Sequence, residues 1–104
     1  MSKFLPNEDE SVKELYNAIC KLDSTDGAYR FFEDLLTINE IHSMAQRFHV
    51  ALMLDAGEKY NDIVKKTGAS TATISRVNKC LIYGSGGYQE IIDKIKKDRL
   101  NDEG

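Results

Sequence analysis

The stretch YNDIVKKTGASTATISRVNKCLIY, residues 60–83, reads as two short helices joined by a tight turn. Ile63, Val64 and Thr67 fall on one inner face of the first helix. Gly68 is where that helix should stop, because glycine enters the left-handed region without the steric penalty that a Cβ brings. Ser70 then supplies an oxygen to cap the free N–H groups of the next helix. Beyond it the apolar positions Ala72, Ile74, Val77 and Leu81 recur as they do on a half-buried helix. The outward positions Thr71, Ser75 and Lys79, with Ala72 at the margin, are small or polar, and none blocks close approach to a groove. A buried back, a sharp glycine turn and short hydrogen-bonding side chains at the start of the second helix are what a DNA-reading helix-turn-helix requires. The run GASTATISR sharpens this reading, since four hydroxyl residues crowd one helix start although Ser and Thr are poor interior helix formers. The plainer alternative is a capped core helix with a Thr-rich surface.

Charge distribution points the same way. The chain of 104 residues carries a formal net charge of −3. Residues 59–80 nevertheless hold Lys59, Lys65, Lys66, Arg76 and Lys79 against Asp62, while the segments on either side are net acidic. Phosphate contact depends on the local field rather than on total charge. A solvated basic surface is the competing explanation of the same pattern.

The rest of the chain also reads as helical, with no strand-like alternation. A polar, flexible lead is expected over residues 1–7, a single helical DNA-binding domain over 8–98, and a charged tail over 99–104. Helix one is expected from Glu8 to Leu22 with Val12, Leu15, Tyr16 and Ile19 as its stripe. Ser24 or Thr25 should cap helix two, Asp26 to Leu36, which is expected to bury Tyr29, Phe32, Leu35 and Leu36. Thr37-Ile38-Asn39-Glu40 has the form of a capping box opening helix three, Ile38 to Ala56. That helix presents Ile41, Met44, Ala45, Phe48, Leu52 and Met53. Tyr83 to Tyr88 reads as a glycine-rich hinge, and a last helix should bury Ile91, Ile92 and Ile95. Six helices in one small chain make a thin core, and helices two and three are apolar on more than one side. We therefore expect a homodimer whose first three helices and last helix supply most of the interface.

Several function classes find no support. No apolar run approaches the ~20 residues of a membrane span, and nothing at the start reads as a signal peptide. Cys20 and Cys80 lack metal spacing and are expected as buried free thiols in a reducing cytoplasm. His42 and His49 stand seven apart on helix three with no carboxylate or thiol completing a set, so no metal is expected. No nucleophile–base–acid grouping emerges, no enzymatic role is expected, and no cofactor is implied.

Leu35 to Leu81, LLTINEIHSMAQRFHVALMLDAGEKYNDIVKKTGASTATISRVNKCL, resembles the tryptophan repressor superfamily. Within it, GASTATISRVN and YGSGGY are similar to the YerC/YecD branch of Trp-repressor-related proteins. The resemblance implies an all-α, intertwined homodimer with a helix-turn-helix, acting as a transcription factor. It implies that Thr71, Ala72 and Ser75 face the bases and that Lys66, Gly68, Ser70 and Thr73 lie near the phosphate backbone. Lys79 joins them from the outward face read above.

The family's effector pocket maps onto Thr37, Arg47, Arg76, Val77 and Cys80. Arg47 and Arg76 match the two arginines that hold the amino acid. Val77 stands where the repressor has a glycine that leaves room for the indole, Cys80 stands where it has a serine, and the loop after Gly57 is one residue shorter. Tryptophan is therefore not expected to fit. A different small effector, no effector, and a structural role for the two arginines all stay open.

The expectation is a cytoplasmic, dimeric, sequence-specific regulator, a repressor by the resemblance, on a palindromic double-stranded DNA operator. The alternatives are a protein-interaction module on the same fold without DNA readout, and a repressor dependent on an effector other than tryptophan.

Overall fold

The computed structural model describes residues 6–103 and contains six helices and, among the described residues, no strand. In chain order these are α1 Pro6–Ile19, α2 Thr25–Leu35, α3 Ile38–Asp55, α4 Tyr60–Thr67, α5 Thr71–Tyr83 and α6 Gly87–Glu103. Residues 1–5 of the expected lead lie outside the described residues. Helix α1 starts at Pro6, two residues before the expected Glu8, because a proline's fixed φ and missing N–H suit a first helical turn. It ends at Ile19 rather than Leu22, and α6 carries helix through most of the expected tail. The chain forms two compact units, Met1–Ile41 and His42–Gly104, with the boundary in the first turn of α3.

In the first unit, Val12, Leu15 and Ile19 are half-buried along one stripe of α1, while Tyr16 is exposed. Ser24 caps α2 by accepting the Gly27 N–H at 3.0 Å. Phe31 and Phe32 meet edge to face. No residue of α2 is fully buried, and Tyr29 and Leu35, expected inside, are exposed. The apolar side of this unit is thus left partly uncovered by its own chain. The expected capping box is present: the Thr37 N–H donates to Glu40 Oε1 at 2.8 Å, and the Glu40 N–H donates to Thr37 Oγ1 at 3.2 Å. Those bonds, the one from the Thr37 backbone foremost, hold the Glu40 carboxyl below its ordinary pKa.

The second unit holds the core. Val50, Ala51 and Met53 of α3 pack with Ile63 of α4, Ala69 of the turn, Ile74 and Val77 of α5, and Ile92 of α6. The buried face of α3 is therefore set by Val50, Ala51 and Met53. Phe48 and Leu52 are half-buried, while Met44 and Ala45 of the expected stripe are exposed. An 18-residue helix can carry two apolar stripes, and this chain buries one of them. On α6, Ile92 is buried and Ile95 half-buried, but Ile91 is exposed. Both thiols are exposed, against the expectation of buried ones, because Cys20 follows the end of α1 and Cys80 lies on the outer side of α5.

Helix α6 is tied to α3 at Asp55. Lys96 Nζ stands 2.5 Å from Asp55 Oδ2, and Gln89 donates to Asp55 Oδ1 at 3.4 Å. Phe48 and Tyr88 stack nearby with ring centroids 6.5 Å apart. The bond from Lys96 lowers the Asp55 pKa against an opposing effect of burial, and the bond to Asp55 raises that of Lys96. In the stretch expected as a hinge between α5 and α6, Gly84 is the C-cap of α5. The Gly84 N–H donates to the Cys80 carbonyl at 2.8 Å, and a Cβ at Gly84 would overlap that same carbonyl oxygen.

Two outcomes follow for stability. Gly84→Ala should cost about 2 kcal/mol, because backbone must move, whereas Gly68→Ala, which has open space but a left-handed φ, should cost about 1 kcal/mol. Denaturant titration ranks the two, and the reverse order would refute the close approach at Gly84. Asp55 has a lowered folded pKa, so its contribution is complete above the ordinary aspartate value and is lost as pH falls through the lowered one. Asp55→Asn should therefore destabilise at neutral pH, with the difference from wild type shrinking below about pH 4.

Candidate nucleic-acid interface

The turn between α4 and α5 is three residues long, and each has a distinct task. Gly68 adopts φ 72° and ψ 4°, and its N–H closes α4 onto the Val64 carbonyl. Ala69 is 2 % exposed and belongs to the core. Ser70 is extended at φ −70° and ψ 157° and caps α5 by accepting the Thr73 N–H at 3.1 Å. Its own hydroxyl donates to Thr73 Oγ1 at 3.0 Å. Thr67 locks the other side, donating to the Ile63 carbonyl at 2.7 Å and accepting the Ala69 N–H at 3.1 Å.

With Ile74 and Val77 buried, α5 turns a single face outward. Thr71, Ala72, Ser75 and Lys79 are all exposed on it. Ser70 and Thr73 spend their hydroxyls on one another and on the cap, while Thr71 and Ser75 keep theirs toward solvent. The first turn of α5 contains no acidic residue, and the amides that open a helix have no intrahelical partner. Such a helix start favours negative charge. In the same segment of chain, Lys59, Lys65, Arg76 and Lys79 are exposed. Lys66 is exposed too but is paired at 2.6 Å with Glu58. That hydrogen bond, reinforced by the Glu58 charge, raises the Lys66 pKa and keeps it cationic.

The candidate effector residues are more dispersed in character. Val77 is buried at 2 % exposure and fills its place in the core. Arg47, Arg76 and Cys80 are exposed, and Thr37 accepts the Glu40 N–H within the capping box. An open cleft of about 270 Å³ between α3 and α6 is lined by other residues, among them His49, Leu52, Asp55, Ile92 and Arg99. His42 and His49 are both exposed, and among the described residues no group of three potential metal ligands assembles. No described helix is long and apolar enough to cross a membrane.

Two residues at this site escape sequence reading. Gln46 on α3 donates to the Thr67 carbonyl at 3.1 Å, and Glu58 engages Lys66. Both act across 21 and 8 positions of chain respectively, a separation at which no local pattern signals a pairing.

A family model described as Trp repressor protein matches residues 10–96, extending beyond the 35–81 stretch into α1 and α6. The chain is 50% identical over 88 residues to an uncharacterized protein, YerC, of Bacillus subtilis, covering 85% of each chain. The crystal structure of a TrpR like protein from Eubacterium eligens superposes with a TM-score of 0.81 at 53% identity, over 84% of this chain and 90% of that one. A further solved chain, from Staphylococcus aureus, also gives a TM-score of 0.81, at 41% identity over 89% of this chain and 96% of its own.

Proposed function

This chain belongs to the Trp repressor family, and on that premise we propose that it is a sequence-specific transcriptional regulator, a repressor, which reads the major groove with α5. The observation that carries the reading is the outward face of α5: exposed Thr71, Ala72 and Ser75 at a capped helix start, within the segment of net positive charge. Short hydroxyls can bond base edges directly or through water, and a small alanine admits a thymine methyl. Gly68, Ser70, Thr73 and Lys66 lie beside the phosphates, and Lys79 adds a cation one turn beyond Ser75. Contact with a phosphate would have Lys66 exchange Glu58 for a stronger anion.

The acting species in this account is a homodimer in the cytoplasm. Exposed Tyr16, Tyr29, Leu35, Ile38, Met44 and Ile91 form the surfaces that a second copy would cover, completing a single domain over residues 8–98. Twofold symmetry then offers two α5 helices to successive major grooves of a palindromic operator. Tryptophan is not the expected effector: Val77, which stands where the resemblance puts the family's glycine, is itself buried in the core. The charge balance of −3 favours one second reading, an interaction module that uses the same α5 face for a protein partner.

Titration of labelled genomic DNA fragments should show binding that weakens steeply with salt, as counterion release demands. Ser75→Glu or Thr71→Glu should remove that binding, and both variants should sediment, like wild type, at twice the chain mass. Undiminished binding by the variants would rule out α5 as the reader, and a monomeric wild type would rule out the dimer. Added tryptophan should leave the isotherm unchanged; a shift of tenfold or more would return the effector pocket to consideration.

A further inference from the structure

The Thr67 carbonyl closes the last turn of α4, where helix geometry leaves carbonyls without intrahelical partners. Here the partner arrives from a different helix: Gln46 Nε2 of α3 donates to it at 3.1 Å, across 21 positions of chain, and both groups are partly buried. Thr67 Oγ1 in turn accepts the Ala69 N–H and donates to the Ile63 carbonyl. Gln46 is thus joined through Thr67 to Ala69, and Ser70, the next residue, caps α5.

Other forces between α3 and α5 do not fix position as tightly. Val50 and Ala51 against Ile74 and Val77 are apolar contacts, which resist separation but are non-directional. A slide of a few tenths of an ångström along such a surface forfeits only part of each contact. A hydrogen bond weakens steeply with distance and angle, so it resists the slide itself. Among the described residues, the hydrogen bond that reaches the end of α4, next to this turn, from outside α4 and α5 is the one from Gln46.

We infer that Gln46 is a positioning residue for DNA reading: its bond to the Thr67 carbonyl sets the register of the turn and hence the placement of Thr71 and Ser75. The inference rests on α5 being the DNA reader. Gln46 itself touches no DNA in this account. Its consequence is confined to specificity, because base-edge contacts demand correct placement while phosphate attraction tolerates displacement.

Two substitutions separate positioning from folding. Gln46→Met puts a methyl where the amide nitrogen stands and removes the donor at nearly constant shape. Gln46→Arg retains an N–H at the same distance along the side chain. On the full-length protein, amide hydrogen exchange at Gly68 and Ala69, whose N–H groups are bonded to Val64 and Thr67, should rise about tenfold in Gln46→Met and stay near wild type in Gln46→Arg, with Ile63 and Ile74 unchanged in both. The ratio of affinity for wild-type-selected fragments to affinity for random DNA should fall about tenfold in Gln46→Met and recover in Gln46→Arg. Unchanged exchange in Gln46→Met would overturn the inference whatever the DNA result. Faster exchange with an unchanged ratio would overturn it as well. A wild-type protein that selects no fragments would refute DNA reading itself, and with it this inference, and the exchange data would still show whether Gln46 holds the turn.

Discussion

The left-handed turn at Gly68 is the constraint on which the rest of this structure depends. A φ of 72° redirects the chain within three residues, and it does so where a Cβ would meet open space but pay a conformational penalty. The turn places Ala69 in the core and brings Ser70 to the start of α5. Once α5 begins there, Ile74 and Val77 close the core, and Thr71, Ser75 and Lys79 have no direction left except outward. The face offered to a partner is thus a consequence of how the core is closed.

Electrostatics refine that face without defining it. A net charge of −3 is compatible with a nucleic-acid surface when cations gather on one segment and carboxylates elsewhere. The Lys66–Glu58 pair shows the arrangement is not a simple array of free cations. The pair is exposed on the lysine side, and an exposed ion pair holds weakly enough to exchange for a phosphate. The uncovered apolar side chains of α1, α2 and the second stripe of α3 make the parallel point for packing. One copy of this chain buries eight hydrophobic residues among those described and leaves large ones such as Tyr29 and Ile38 in solvent.

Local chemistry was legible in the sequence and distant pairing was not. Gly68, Ser70, Ser24 and the Thr37–Glu40 box each act within four residues of chain, so identity and spacing reveal them. The outward set on α5 followed from the helical period once the buried set was recognised. Helix α3 misled, because its apolar residues outnumber what one face can bury, and periodicity cannot say which stripe a single chain covers. The two thiols misled for a related reason, since a small residue just past a helix end or at the margin of an apolar stripe is as easily outside as inside. Gln46, Glu58 and the Asp55–Lys96 tie depend on how helices come together, which no local motif encodes.

The most direct test of the central claim is affinity selection of fragmented genomic DNA by the purified protein, with the selected fragments sequenced. The account predicts enrichment of twofold-symmetric sites whose half-sites lie about one helical turn apart, or a multiple of it. Enrichment of no sequence over the input at low salt, by a correctly folded dimer, would contradict it.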